Sequence, residues 1–143
     1  DPTRTALEPV VHRAWASVDS GAAKLDVGPD LGQVLADPDR LQQLFENLFR
    51  NSVEHAATTD DPVTVHVART PRGFRVVDDG PGIPPENREK VLEHGFTTHD
   101  SGTGFGLAIV DRIAAAHGWS VAVVDPPEPE LGACFEVAGV EFV

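Results

Sequence analysis

LQQLFENLFRNSVEH, residues 41–55, is the stretch on which the rest of the chain depends. It reads as a helix, with Asp37 as N-cap and Pro38 at the first helical position, where a missing N–H costs nothing. At about 100° per residue, Leu41, Phe45, Leu48 and Ser52 fall on one broad side, the core stripe. Asn47, Asn51, Glu54 and His55 project together from a neighbouring stripe. Asparagine is a mediocre helix former because its amide competes for backbone hydrogen bonds, so two of them at i and i+4 beside a core face need a reason. On the helix alone two readings stand: a solvated or end-satisfying polar edge, and an edge that faces a metal ion or phosphate.

The bulk properties narrow the field. The chain of 143 residues is expected to form one domain, residues 1–143, with a real core. A net charge of -12 argues against nucleic acid or an anionic membrane as partner, since both need a basic surface. Lys24 and Lys90 are the only lysines against 23 acidic residues, a balance resembling that of proteins from a high-salt cytoplasm, with an ordinary acidic domain as the alternative. Cys134 is the only cysteine, so no internal disulfide forms and a reducing cytoplasm is the default. No apolar run approaches the roughly 18 residues that span a bilayer, and direct membrane contact by this domain is not expected. The start at Asp1 rather than Met leads to the expectation of a fragment or processed piece.

Taken in order, residues 5–17 have helical spacing. Residues 24–27 and 33–36 alternate around Gly28-Pro29-Asp30 and are expected to pair as a small hairpin. After the asparagine helix, residues 63–68 and 73–77 read as strands around Pro71-Arg72-Gly73. Residues 86–94 read as a short helix, 95–104 as a polar glycine-bearing stretch, and 107–117 as a helix closed by Gly118. Residues 120–125 and 134–140 read as strands split by an acidic, proline-rich loop. The expected fold class is α+β: a two-layer α/β sandwich, its mixed sheet covered on one face by helices.

Two glycine motifs carry chemistry. Asp78-Asp79-Gly80-Pro81-Gly82-Ile83 directly follows a strand. A carboxylate there is able to accept from an exocyclic amine such as that of adenine, while the glycines let backbone approach a flat ligand. Ser101-Gly102-Thr103-Gly104-Phe105-Gly106-Leu107 precedes a helix, where free N–H groups and the positive dipole end suit phosphates. It lacks the Gly-Lys-Ser/Thr of a Walker loop and the leading strand of a Rossmann fingerprint.

The order of these pieces resembles the catalytic, ATP-binding domain of sensor histidine kinases, in the GHKL ATPase superfamily with its Bergerat fold. The likeness spans nearly the whole chain: an N box (residues 45–55), a first glycine box (78–83), an F box (91–98), a second glycine box (102–107) and a weaker third (132–135). Gly95-Phe96-Thr97-Thr98-His99 is similar to the short-lid subclass, and residues 94–104 are expected to order as a lid over bound phosphates. The resemblance implies ATP and Mg²⁺ as cofactors. Asp78 would read adenine; Asn51 would hold Mg²⁺ with Asn47 beside it; Gly80, Gly82 and Ile83 would shape the adenine end. Gly102, Thr103, Gly104, Phe105, Gly106 and Leu107 would cradle phosphates, and Phe96 would anchor the lid. Glu54 stands where the family usually has lysine, leaving His55 or His99 to face phosphate in its place. Leu92 and Ala133 also depart from the family pattern.

None of His12, His55, His66, His94, His99 and His117 lies in a phospho-acceptor motif. The resemblance therefore implies half of a kinase, presenting the ATP γ-phosphate to a histidine on a dimerisation hairpin elsewhere in the parent protein. A response-regulator receiver domain would be the indirect partner in the two-component phosphorelay. Two alternatives remain at this point: an anti-sigma-factor-type serine kinase and a non-catalytic nucleotide-sensing or docking module. The serine kinases carry a glutamate base where this chain has Asn47, and neighbouring Glu46 is rotated about 100° away.

Overall fold

The computed structural model describes residues 2–18, 21–56, 63–79, 106–127 and 132–143, with backbone alone at 55, 56 and 106. The elements run β1 (Thr3–Ala6), α1 (Leu7–Ser17), β2 (Lys24–Val27), β3 (Gln33–Ala36), α2 (Pro38–Ala56), β4 (Thr64–Thr70), β5 (Gly73–Asp78), α3 (Gly106–Ala116), β6 (Ser120–Val124) and β7 (Cys134–Ala138). The main sheet has strand order β2-β4-β5-β7-β6. β2 lies parallel to β4 and the other pairs are antiparallel, so the sheet is mixed, as expected.

α2 begins as its sequence dictates. Asp37 Oδ1 accepts from the N–H groups of Asp39 at 3.0 Å and Arg40 at 3.4 Å, satisfying donors that have no partner within the helix. Leu41, Leu44, Phe45, Leu48, Phe49 and Ser52 are all buried, so the core stripe is the one read from the periodicity. Phe45 packs on Phe74 of β5 with ring centroids 5.1 Å apart, fixing α2 on that face of the sheet. Phe49 continues the layer to Trp15 of α1 at 5.3 Å. Trp119, just before β6, meets Phe74 edge-on at 6.2 Å. Strand alternation places Val65, Val67, Phe74, Val76, Phe135 and Val137 beneath the helices. α3 is closed two residues past its end by Gly118, whose φ of 80° is the left-handed turn that glycine enters without strain.

The expected hairpin of β2 with β3 does not form. β2 pairs with β4, Leu25 opposite Val65, while β3 pairs with β1, Val34 opposite Thr5. Alternation specifies which face a strand buries and leaves its partner open. β1 was also absent from the sequence reading: Thr5, expected in the first helix, instead lies in a strand, its hydroxyl donating to Thr3 O and Ala36 O. α1 therefore starts at Leu7, whose N–H bonds Gly32 O at 3.0 Å. The expected helix at 86–94 and the glycine-bearing stretch after it lie outside the described residues.

Phe45 is fully buried and Leu35 is 38% exposed. Phe45→Ala is expected to cost about 3–5 kcal/mol in urea unfolding. Leu35→Ala is expected to cost less than about 1 kcal/mol. Similar midpoints for the two variants would contradict the placement of α2.

Candidate functional site

The parity of β5 decides what its last residue faces. Val77 points to the outer face, so Asp78 points to the helix-covered one, opposite Val65 in the ladder. Asp78 is 1% exposed, unusual for a carboxylate. Its Oδ1 accepts from Ala133 N–H at 3.2 Å, and its backbone N–H donates to Ala133 O at 3.0 Å. Gly132 N–H in turn donates to Asp78 O at 2.6 Å. The two residues just before β7 thus hold Asp78 by main-chain groups, and the alanine at 133 donates to its carboxylate without a side-chain donor.

α2 carries the next of the expected site residues. Asn47 is 6% exposed, and its Nδ2 donates to Gln43 O at 2.8 Å, which explains how an asparagine is tolerated in this helix. Asn51 is half-buried, its Nδ2 is sequestered, and its side chain has no hydrogen-bond partner among the described residues. Leaving such a group unpaired costs roughly 1–3 kcal/mol. Glu54 is half-buried one turn further on.

α3 carries the last of them. Its first turn holds Gly106 and Leu107 and carries no acidic residue to offset the positive dipole end. Of the expected site residues, the structure therefore places Asn47, Asn51 and Glu54 on α2, Asp78 at the end of β5, and Gly106 and Leu107 at the start of α3. Gly80, Gly82, Ile83, Phe96, His99, Gly102, Thr103, Gly104 and Phe105, and the side chain of His55, lie outside the described residues.

Glu46 points as the helix geometry requires. Its Oε2 accepts from Ser17 Oγ at 2.7 Å and Gln42 Nε2 at 3.0 Å, which turns it toward α1. Arg50 escaped the sequence reading: its Nη1 reaches back to Asn47 Oδ1 at 3.5 Å, bringing a cation beside the asparagine pair. The i, i+3 spacing was the available signal. A shallow cavity of about 240 Å³ lies elsewhere, on the outer sheet face among Asp26, His66, Arg75, Val77 and Pro127. His66 Nδ1 and Asp26 Oδ2 pair there at 2.9 Å.

A mixed five-stranded sheet with its helices on one side defines the class: an α+β sandwich of the histidine-kinase catalytic-domain type. The chain belongs to the family described as "Histidine kinase-, DNA gyrase B-, and HSP90-like ATPase", which matches residues 36–140. ATP use is the common property that description names. Within the family its relatives are sensor histidine kinases. It is 38% identical over 96 residues to the sensor histidine kinase ZraS of Salmonella typhi, covering 65% of this chain and 20% of that protein. It is 32% identical over 133 residues to the sensory histidine kinase/phosphatase NtrB of Rhodobacter capsulatus, covering 80% of this chain and 37% of that one. The chain thus spans well under half the length of these relatives. Among solved structures, the mycobacterial sensor histidine kinase MprB matches with a TM-score of 0.73 at 25% identity, covering 100% of both chains. Full-length ShkA in complex with AMPPNP matches with a TM-score of 0.71 at 26% identity, covering 100% of this chain and 32% of that one.

The two asparagines should part company on mutation. Asn47→Ala removes a made hydrogen bond and is expected to lower unfolding free energy by about 1 kcal/mol. Asn51→Ala removes an unsatisfied group and is expected to leave stability unchanged or raise it, as measured by urea denaturation. A larger loss at Asn51 than at Asn47 would contradict the assignment.

Proposed function

We propose that this domain binds ATP with Mg²⁺ and presents the γ-phosphate to an acceptor histidine on a separate dimerisation hairpin of its parent protein. The observation that carries the reading is the buried Asp78 carboxylate, held by backbone at the end of β5 on the face that α2 covers. A carboxylate fixed in this way selects a ligand edge that donates, which suits the adenine amino group. The MprB and ShkA likenesses support it, and the latter protein is described with AMPPNP bound.

The residues fit a magnesium ion. Asn51 offers an amide whose hydrogen bonds are unmade among the described residues, and an amide oxygen is a hard ligand suited to Mg²⁺. Bound there, the ion would supply charge neutralisation for the phosphates. Asn47, held by Gln43 O and approached by Arg50, would border the same pocket. The first turn of α3, with Gly106 and Leu107, would receive phosphate through its free N–H groups. Gly80, Gly82, Ile83, Phe96, His99, Gly102, Thr103, Gly104 and Phe105 complete the proposed site, with Glu54 and His55 on its α2 side.

Hydrolysis is not part of the proposal. A hydrolase of this architecture needs a general base in reach of water, and an asparagine at 47 takes no proton at neutral pH. Glu46 is engaged with α1. Downstream, a response-regulator receiver domain would take the phosphoryl group from the hairpin. A cytoplasmic setting for the domain is part of the same proposal; among the described residues no helix is long and apolar enough to cross a membrane.

The test uses γ-labelled ATP with the domain alone, then with a separately expressed acceptor hairpin from the same parent protein. Label is expected on the hairpin histidine only in the mixture, with phosphate release by the domain near background, since general-base help is typically worth about 10²–10⁴-fold. Robust release by the domain alone, abolished by Glu54→Gln, would show a hydrolase instead.

A further inference from the structure

We infer that His117 is a positioning residue for the nucleotide: it clamps the C-terminal end of α3 to the N-terminal end of α2 and thereby sets where the first turn of α3 lies against the asparagine pair. The inference rests on the proposed reading of that turn as the phosphate-binding one.

His117 follows the last residue of α3. Its ring Nδ1 lies 2.8 Å from Ile113 O, and its Nε2 lies 3.1 Å from the backbone nitrogen of Asp37. A carbonyl oxygen can only accept and a backbone N–H can only donate. Both contacts are therefore made at once by a single form of the ring, neutral with its proton on Nδ1. The first contact gives a carbonyl in the last turn of α3, which already accepts from the His117 backbone N–H at 3.3 Å, a second and shorter donor. The second joins α3 to the residue that caps α2, whose own Oδ1 is already engaged by Asp39 and Arg40 N–H. The ring also stacks on Trp119 with centroids 4.6 Å apart and planes 29° apart. Trp119 is itself fixed by its N–H to Ala114 O at 2.8 Å and by its edge-on contact with Phe74. The imidazole is thus held on one face and at both nitrogens.

The lever follows from helix geometry. α3 packs back along α2 from this clamp. Eleven residues at about 1.5 Å each make α3 roughly 17 Å long. The same length along α2 from Asp37 arrives at Asn47 and Leu48. The phosphate-facing turn of α3 therefore comes level with the asparagine pair because its other end is tied to Asp37. Loss of the tie lets α3 shift while Asp78, on β5, stays in place.

Two substitutions separate the tie from the helix cap. In His117→Asn the amide can stand where Nδ1 stands and still donate to Ile113 O, but it falls short of Asp37. In His117→Gln the amide oxygen reaches the Nε2 position and still accepts from Asp37 N–H. Calorimetry with ATP·Mg²⁺ and with adenosine, on folded variants checked by thermal unfolding, reads the result. His117→Asn is expected to weaken ATP binding roughly tenfold and leave adenosine affinity unchanged, while His117→Gln stays close to the unsubstituted protein. ATP affinity unaltered in His117→Asn would overturn the inference, as would equal loss in both variants or a parallel loss of adenosine. Ring ¹⁵N shifts in the unsubstituted protein give a second reading: the Nδ1–H tautomer is expected, and the Nε2–H tautomer would overturn the clamp. Failure of the unsubstituted protein to bind ATP would instead strike the nucleotide reading, and this inference with it.

Discussion

The packing of Phe45 against Phe74 is the contact on which the rest of the molecule depends. It presses α2 onto β5 with ring centroids 5.1 Å apart, and everything chemically unusual lies along those two elements. Once the core stripe of α2 faces the sheet, helix rotation leaves Asn47 and Asn51 at its margin. Once Phe74 and Val76 face α2, alternation carries Asp78 to the same side. These three polar residues are thus placed by an apolar contact that none of them makes. Their positions are consequences of the helical and strand periods acting from one shared anchor.

The site sets stability against function in a legible way. Asn47 is buried with its amide bonded to Gln43 O, so it sits in the helix at little cost. Asn51, one turn later, has no such partner among the described residues. Asp78 is buried and held by the backbone at Ala133. On the proposed reading a chain with a net charge of -12 would also have to receive a polyanion. Arg50 beside Asn47 and the N-terminal dipole of α3, whose first turn carries no acidic residue, would supply local positive potential on the proposed reading without changing that overall balance.

The sequence displayed most of this where the information was local. The cap at Asp37, the stripe of α2, the strands β4 to β7 and the glycine stop after α3 all follow from neighbouring residues, and the motif order carried the family. The partners of β2 and β3 were not legible, because an alternating tetrapeptide such as Lys24–Val27 says which face is buried and nothing about which strand lies beside it. β1 was hidden because its four residues run straight into α1 without a break signal. The contacts of Asp78 with Gly132 and Ala133 join residues more than fifty positions apart through main-chain groups, which leave no mark in side-chain pattern. His117 was noticed only as one histidine among six, and its bond to Asp37 spans 80 positions.

The central claim is that the carboxylate at the end of β5 reads the nucleotide base. The direct measurement is calorimetric titration of ATP·Mg²⁺ into Asp78→Ala beside the unsubstituted protein. A hydrogen bond to a charged group is worth roughly 1.5–3 kcal/mol, so affinity is predicted to fall about tenfold to a hundredfold. Equal affinity for ATP in the two proteins would contradict the account.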